Sequence, residues 1–233
     1  MILLAAVYQP GPKLPLFLSE LLDAAPAGTE IVLVDDGSSP DSAATLDEST
    51  ALGCTVLRQG TNRGKGVALK AGLRHVIDEF PGRAVVCADP DGQHHIKDIL
   101  TVAEHLGDER IVLGVRQFGG ADVPWRSRFG NRLTRDLFHA ATGRDLQDTQ
   151  TGLRGFPAAL LPWLAEVPGE RFEYEMNVLI EAARRGVPID EVPITTIYED
   201  GNSSSHFGAV SDSVRIYAPL LRHAVTRRPA TVA

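Results

Sequence analysis

Two carboxylates, two residues apart, follow an apolar stretch near the middle of the chain. Residues 84–88 are apolar and lead into Asp89 and Asp91, with Gln93 two positions further on. Carboxylate oxygens are the hard ligands that Mg²⁺ and Mn²⁺ prefer, and a nucleotide diphosphate can complete the coordination. The Asp-x-Asp pattern is also common in turns, so the motif by itself leaves both interpretations open. The adjacent His94 and His95 are expected to be solvated loop residues.

A second acidic pair follows another apolar stretch. Asp35 and Asp36 come directly after residues 31–34 and shortly before Pro40, a residue typical of a helix start. Adjacent carboxylates at a strand end can receive the ribose hydroxyls and the base of a nucleotide. An Asx turn with a helix cap is the alternative, and the sequence leaves both open.

Basic residues lie at two further positions. Lys65 stands between Gly64 and Gly66 at a predicted helix start. The two glycines let the backbone approach an anion, and the positive charge of Lys65 favours binding of that anion. The spacing is not that of a P-loop, and a flexible loop with a chance basic residue is the alternative. Arg116 ends the fifth apolar run, and the next helical pattern contains Arg126, Arg128, Arg132 and Arg135. Such guanidinium groups can hold a phosphorylated acceptor, although we expect Arg132 and Arg135 to be solvated.

The elements that must position these residues alternate regularly in the first half of the chain. Apolar runs predict buried parallel strands at 2–8, 30–35, 55–58, 83–88 and 111–115. Helical patterns cover 14–25, 40–52, 67–80 and 97–106. This alternation predicts an α/β doubly wound sheet, in which ligands bind beyond the carboxyl ends of the strands.

The second half of the chain loses this alternation. Its patterns predict helices at 125–142, 172–185 and 210–225, with extended segments at 151–156 and 189–198. We interpret it as an acceptor-binding half built on the same sheet.

Composition narrows the classes of protein that fit. The chain has 233 residues, of which 43% are hydrophobic, enough for one sizeable core. The net charge of −7 argues against nucleic-acid binding. No apolar run reaches the roughly 18 residues of a membrane-spanning helix, so a cytoplasmic protein is expected, either free or peripheral on the inner face of the membrane. Cys54 and Cys87 are expected to be reduced core residues.

In order along the chain, these segments resemble the family 2 glycosyltransferases of the nucleotide-diphospho-sugar transferase (GT-A) fold. The resemblance is greatest to dolichol-phosphate mannosyltransferases and bacterial polyprenyl-phosphate glycosyltransferases, and it covers residues 3–217. Six motifs carry it, at residues 34–39, 62–66, 89–94, 148–154, 170–176 and 202–207.

The resemblance implies a single GT-A domain with a Rossmann-like, mostly parallel sheet flanked by helices. It implies metal-dependent, inverting transfer of a hexose from a nucleotide-diphosphate sugar of the GDP-mannose or UDP-glucose type. The favoured acceptor is a polyprenyl phosphate. The domain would cover residues 1–208, with a donor half at 1–115 and an acceptor half at 116–208.

The resemblance also implies roles for individual residues. Asp35 and Asp36 would hold the nucleoside, and Tyr8 and Lys65 belong to the same donor-binding set. Asp89, Asp91 and Gln93 would surround the metal, Mg²⁺ or Mn²⁺, and the diphosphate.

On the acceptor side, Arg116 and Arg128, with Arg126 as the alternate, would receive the acceptor phosphate. Asp148 and Glu173 would line the floor near the transferred sugar. Related enzymes often have a Ser-Lys pair near the diphosphate, where this chain has Ser205 and His206.

Residues 209–233 are expected to form an amphipathic helix with a basic tail. Residues 200–233 carry a net charge of +2, which leaves −9 for the rest of the chain. The helix can bind a membrane surface or a membrane-protein partner, or it can pack on its own domain; the sequence favours neither strongly.

The chemistry depends on the acceptor. A polyprenyl phosphate is ionised near neutral pH and needs no general base, whereas an alcohol would need a carboxylate such as Asp148, Glu173 or Glu175. Other functions left open are transfer to a hydroxyl acceptor in a cell-surface or natural-product pathway, nucleotidyl transfer and a non-enzymatic receiver-like module. A dinucleotide dehydrogenase is disfavoured because no Gly-x-Gly-x-x-Gly follows the first strand.

Overall fold

The computed structural model describes residues 1–90, 94–116 and 125–195, with the backbone alone for residues 125–129. The described residues form one seven-stranded sheet with helices on both faces. Its strands are β1 (Ile2–Val7), β2 (Glu30–Asp35), β3 (Thr55–Arg58), β4 (Val85–Cys87), β5 (Ile111–Arg116), β6 (Arg154–Phe156) and β7 (Ile189–Ile194). The helices are α1 (Lys13–Ala24), α2 (Ala43–Ala51), α3 (Lys65–Glu79), α4 (Ile96–Glu104), α5 (Trp125–Thr142), α6 (Leu161–Leu164) and α7 (Glu173–Arg185).

The strand order places the ends of most strands at one edge of the sheet. The order is β3-β2-β1-β4-β6-β5-β7, and β6 is antiparallel to both of its neighbours while the other pairs are parallel. The carboxyl ends of β1, β2, β4 and β5 therefore face the same way. Because β6 runs in the opposite direction, the loop that precedes it reaches that same edge.

Alternating strand residues supply two apolar layers. In β1, Ile2 and Leu4 face α3, α5, α6 and α7, whereas Leu3 and Ala5 face α1, α2 and α4. The central strands are buried on both faces, so their sequences are apolar without interruption. This burial fixes the sheet and thereby the loops at its carboxyl edge.

The predicted mostly parallel sheet flanked by helices is confirmed, as is the burial of the free thiols of Cys54 and Cys87. Helix α3 begins at Lys65, two residues earlier than predicted, because the Gly64 carbonyl accepts the first helical hydrogen bonds from Val67 and Ala68. The predicted extended segment 151–156 pairs only over its last three residues. Helix α6 was missed, since four residues are too few to show a helical period.

Among the described residues, no helix combines the length and the apolar character needed to cross a bilayer. The predicted helix 210–225 and the tail lie outside the described residues.

Gly72 in α3 tests how closely this helix packs on the sheet. A methyl group there would overlap Leu4 Cδ1 and lie 3.0 Å from Val34 Cγ2, whereas at Gly130 in α5 it would meet no atom of the described residues within 4 Å. Overpacking a core costs about 1–3 kcal/mol, while Gly to Ala in an open helix gains up to about 1 kcal/mol. We expect Gly72→Ala to lower the free energy of unfolding and Gly130→Ala to raise it, as measured by urea denaturation. Equal changes in the two variants would contradict the close packing of α3.

Candidate active site

The loops after β1 and β2 are joined by hydrogen bonds at the carboxyl edge of the sheet. The Gln9 backbone N–H donates to Ser38 Oγ at 2.8 Å, and Ser39 Oγ donates to the Gln9 side-chain carbonyl at 2.9 Å. Tyr8, predicted to bind the donor, stands in this junction with 37% of its surface exposed. Its predicted contact with the donor stays a prediction.

Asp35 and Asp36 are both buried, and both accept hydrogen bonds from backbone N–H groups. Asp35 Oδ1 accepts from Ser38 at 3.0 Å, which is the Asx turn that the sequence offered as an alternative. Asp36 accepts from Arg63 at 2.8 Å and from Gly64 at 2.7 Å, one bond to each oxygen. Asp36 therefore fixes the loop before α3, whatever contact it makes with a nucleoside.

Lys65 lies between two carboxylates from distant parts of the chain. Its Nζ is 2.7 Å from Asp89 Oδ1 and 2.9 Å from Glu175 Oε2, and 5.9 Å from the centre of the Phe172 ring. Burial alone would lower the pKa of Lys65, but the two carboxylates outweigh it and raise this pKa above its usual value. The carboxylates therefore favour the charged form of the ammonium group at this site.

Two glycines allow Lys65 to reach Glu175. A Cβ on Gly64 would come 2.6 Å from Arg171 Cγ, and a Cβ on Gly66 would come 2.6 Å from Tyr174 Cβ. The first turn of α3 thus packs directly on the first turn of α7. The glycines serve helix packing here, an interpretation that the motif did not suggest.

Asp89 follows β4 and faces the loop before β6. Burial would raise its pKa, but the adjacent Lys65 ammonium group outweighs burial and lowers it, which favours the ionised carboxylate. A Cβ on Gly152 would overlap Asp89 Oδ2, so glycine is what leaves room for this carboxylate. An ionised, partly exposed carboxylate is a suitable hard ligand for a divalent cation.

The described part of the chain contains one residue of the predicted metal site, Asp89. Among the described residues, no three His, Cys, Asp or Glu side chains converge on one point. Asp89 fits the predicted role, while Asp91 and Gln93 lie outside the described residues. So do the side chains of Arg126 and Arg128, and both Ser205 and His206.

The motif at residues 148–154 stabilises the loops at the carboxyl edge of the sheet. Arg154 is 2% exposed and donates to the backbone carbonyls of Thr149, Thr151 and Glu175 at 3.2, 2.9 and 2.6 Å. A buried guanidinium group of this kind is stable when backbone carbonyls accept its hydrogen bonds. It ties the loop before β6 to α7.

Arg116 and Asp148, predicted separately, form one paired unit. Arg116 Nε lies 2.6 Å from Asp148 Oδ2, and its second donor lies 3.0 Å from Oδ1, while Asp148 is fully buried and Arg116 remains partly exposed. The Gln150 backbone N–H also donates to Asp148 at 3.1 Å. This two-point contact fixes the plane of the guanidinium group at the carboxyl end of β5.

Glu173 is the first residue of α7, and Glu173 Oε1 accepts from the backbone N–H groups of Glu170 and Arg171 at 2.9 and 3.2 Å. These bonds show Glu173 supporting the turn that leads into α7. Its predicted contact with the transferred sugar stays a prediction.

The prediction that His94 is a solvated loop residue is wrong. Its side chain is 8% exposed, and within the described part of the chain its Nδ1 has no hydrogen-bond partner. Burial lowers the pKa of this imidazole, although the Asp89 carboxylate opposes the shift. The sequence around His94 gives no indication that its side chain turns inward, because its interaction with Asp89 forms only in the fold. The expectation that Arg132 and Arg135 are solvated is confirmed, since both are exposed.

Sequence also gave no sign that Lys65 and Glu175 are paired. They are separated by more than a hundred positions, and each stands in a separate helical pattern.

Comparison with known proteins shows the family and the fold of the chain. The model of glycosyl transferase family 2 matches residues 4–161. An uncharacterised protein of Methanocaldococcus jannaschii is 31% identical over 180 residues, covering 75% of this chain and 72% of its own length. An undecaprenyl-phosphate mannosyltransferase of Micrococcus luteus is 29% identical over 211 residues, covering 87% of this chain and 86% of its own.

Among solved structures, a glucosyl-3-phosphoglycerate synthase from Mycobacterium tuberculosis shares the fold. It was crystallised with Mn²⁺, uridine diphosphate and glucosyl-3-phosphoglycerate. It superposes with a TM-score of 0.69 at 16% identity, over 98% of this chain and 81% of that one. The chain belongs to glycosyl transferase family 2 and has the GT-A fold that its motifs predicted.

Proposed function

We propose that this glycosyltransferase moves a hexose from a nucleotide-diphosphate sugar to a polyprenyl phosphate, with inversion at the anomeric carbon. One observation carries the choice of acceptor. The three carboxylates considered as bases for an alcohol acceptor are all engaged: Asp148 by Arg116, Glu173 by backbone N–H groups, and Glu175 by Lys65. A phosphate acceptor needs no base because its oxygen is already ionised near neutral pH. The Micrococcus luteus relative, named for undecaprenyl phosphate, supports the same choice.

The donor would bind at the ends of β1, β2 and β4, in the donor half at 1–115. Tyr8, Asp35 and Asp36 would contact the nucleoside, and Lys65 and Asp89 would face the diphosphate. Asp91 and Gln93 would join Asp89 around Mg²⁺ or Mn²⁺, and Ser205 with His206 would approach the diphosphate. The Mn²⁺ and uridine diphosphate bound by the Mycobacterium tuberculosis neighbour support this arrangement.

The acceptor phosphate would bind in the half at 116–208, between Arg116 and Arg128. Asp148 holds the Arg116 guanidinium plane, so this cation would keep its orientation when the phosphate binds. The phosphate oxygen attacks C1 while the bond from C1 to the diphosphate oxygen breaks on the opposite face, which inverts the centre. A divalent cation held by Asp89, Asp91 and Gln93 would neutralise the charge that develops on the departing diphosphate.

This acceptor would place the protein in the cytoplasm, peripherally on the inner face of the membrane. A polyprenyl chain stays in the bilayer, so the enzyme must approach the surface to reach the phosphate. The basic segment 209–233 would favour contact with anionic lipid or with a membrane-protein partner.

The proposal predicts metal-dependent donor binding. A nucleotide sugar and Mn²⁺ together should raise the melting temperature of the protein, because a ligand that binds the native state stabilises it. Asp91→Asn should fold normally but lose transfer to undecaprenyl phosphate by about 10²-fold or more, because a charged ligand of the metal is gone. Thermal shift and radiolabelled transfer measure the two effects. Full activity in metal-free buffer would contradict the proposed chemistry.

The role of Asp148 separates the two acceptor classes. If Asp148 supports Arg116, Asp148→Asn should raise the acceptor KM about ten-fold with a smaller change in kcat. If Asp148 is a general base, the same substitution should lower kcat by about 10²–10⁴-fold. Asp145→Asn is the matched control, since Asp145 is exposed and pairs with His139. A collapse of kcat in folded Asp148→Asn protein would instead favour a hydroxyl acceptor.

Arg128→Lys keeps the charge but removes the planar two-point donor, so it should raise the acceptor KM more than the donor KM. Arg132→Lys in the same helix is the control, because Arg132 is exposed and was expected to be solvated. Steady-state kinetics with each substrate varied in turn decide the outcome. Equal acceptor KM values in the two variants would remove Arg128 from the site.

A further inference from the structure

Lys65 lies where an ammonium group competes with a metal ion for the same oxygen. Its Nζ is 2.7 Å from Asp89 Oδ1, the described carboxylate of the predicted metal site. Asp89 follows a buried strand, and Gly152 packs against its other oxygen, Oδ2. A divalent cation that approaches Asp89 therefore meets a carboxylate whose charge is already compensated.

The charges around Lys65 leave no surplus of negative charge among these four groups. Two cations, Lys65 and Arg154, face two carboxylates, Asp89 and Glu175, and Arg154 Nε is 3.9 Å from Glu175 Oε1. Lys65 keeps a second partner in Glu175, so it can remain in place when Asp89 turns to another cation. The side chain of Asp89 is 33% exposed, and those of Lys65, Glu175 and Arg154 are 14% exposed or less. Solvent therefore screens these charges weakly.

We propose that Lys65 suppresses metal binding at Asp89 until the donor diphosphate arrives, which makes metal and nucleotide bind as a coupled pair. The inference rests on the proposed function. The diphosphate brings the negative charge that the four groups lack, and it attracts both the metal and the Lys65 ammonium. Such coupling is reciprocal, so the metal must strengthen nucleotide binding by the same factor.

The test is Mn²⁺ binding by the full chain without nucleotide, followed as free Mn²⁺ by electron paramagnetic resonance. Lys65→Met should bind Mn²⁺ about ten-fold tighter or more than the parent, because removal of a unit charge in contact with Asp89 frees a carboxylate. Lys70→Met is the matched control on the same helix. The Lys70 ammonium lies 5.7 Å from the centre of the Tyr174 ring, and its loss should leave Mn²⁺ affinity unchanged.

Saturating uridine or guanosine diphosphate gives the second arm, with metal binding by the free nucleotide measured separately. The nucleotide should strengthen Mn²⁺ binding to the parent more than to Lys65→Met. Equal strengthening of both proteins would overturn the proposed coupling.

Lys65→Met leaves Glu175 without its ammonium partner, so a second variant guards against misfolding. Lys65→Met/Glu175→Gln removes one charge of each sign and should also bind Mn²⁺ tighter than the parent. Parental Mn²⁺ affinity in this folded double variant would overturn the inference. If the parent still transfers sugar with Mn²⁺ in that case, the proposed function stands. If no protein of the series binds Mn²⁺ or nucleotide sugar, the proposed function fails as well.

Discussion

The ammonium group of Lys65 lies between Asp89, which follows a central strand, and Glu175, in the first turn of α7. Charges at such low exposure are stable only when they are paired, and removal of one partner leaves the other without compensation. The pairing requires α3 and α7 to approach closely, which Gly64 and Gly66 permit. The two halves of the chain are thereby held together at the point where the chemistry is proposed to occur.

The remaining acidic residues of this edge follow the same principle. Asp36 holds the loop before α3 through two backbone N–H groups, and Asp148 holds the guanidinium group of Arg116. A site for charged ligands needs donors and cations whose positions do not change when the ligand arrives. Carboxylates that look catalytic in the sequence thus act, in the described structure, on the groups that would touch substrate.

An arrangement in which carboxylates orient cations suits the proposed reaction between two phosphorylated molecules. In the proposed reaction both substrates bring negative charge, so the protein would have to supply positive groups at fixed places. Lys65 and Arg116 are such groups, and each is oriented by a buried or nearly buried carboxylate. The carboxylates also limit the net positive charge, so that each cation retains its orientation before substrate binds.

Sequence by itself determined the fold class and the places of the motifs. Short apolar runs and helical apolar patterns are local properties, and they predicted β2 and α5 with the observed bounds. Order along the chain also placed the acidic motifs at strand ends, because parallel strands end at one edge. Only the tertiary structure decided the partners: Lys65 with Glu175, Arg116 with Asp148, and the inward turn of His94. These contacts join residues from separate elements or depend on packing, and no local pattern encodes which distant charge will stand opposite a given side chain.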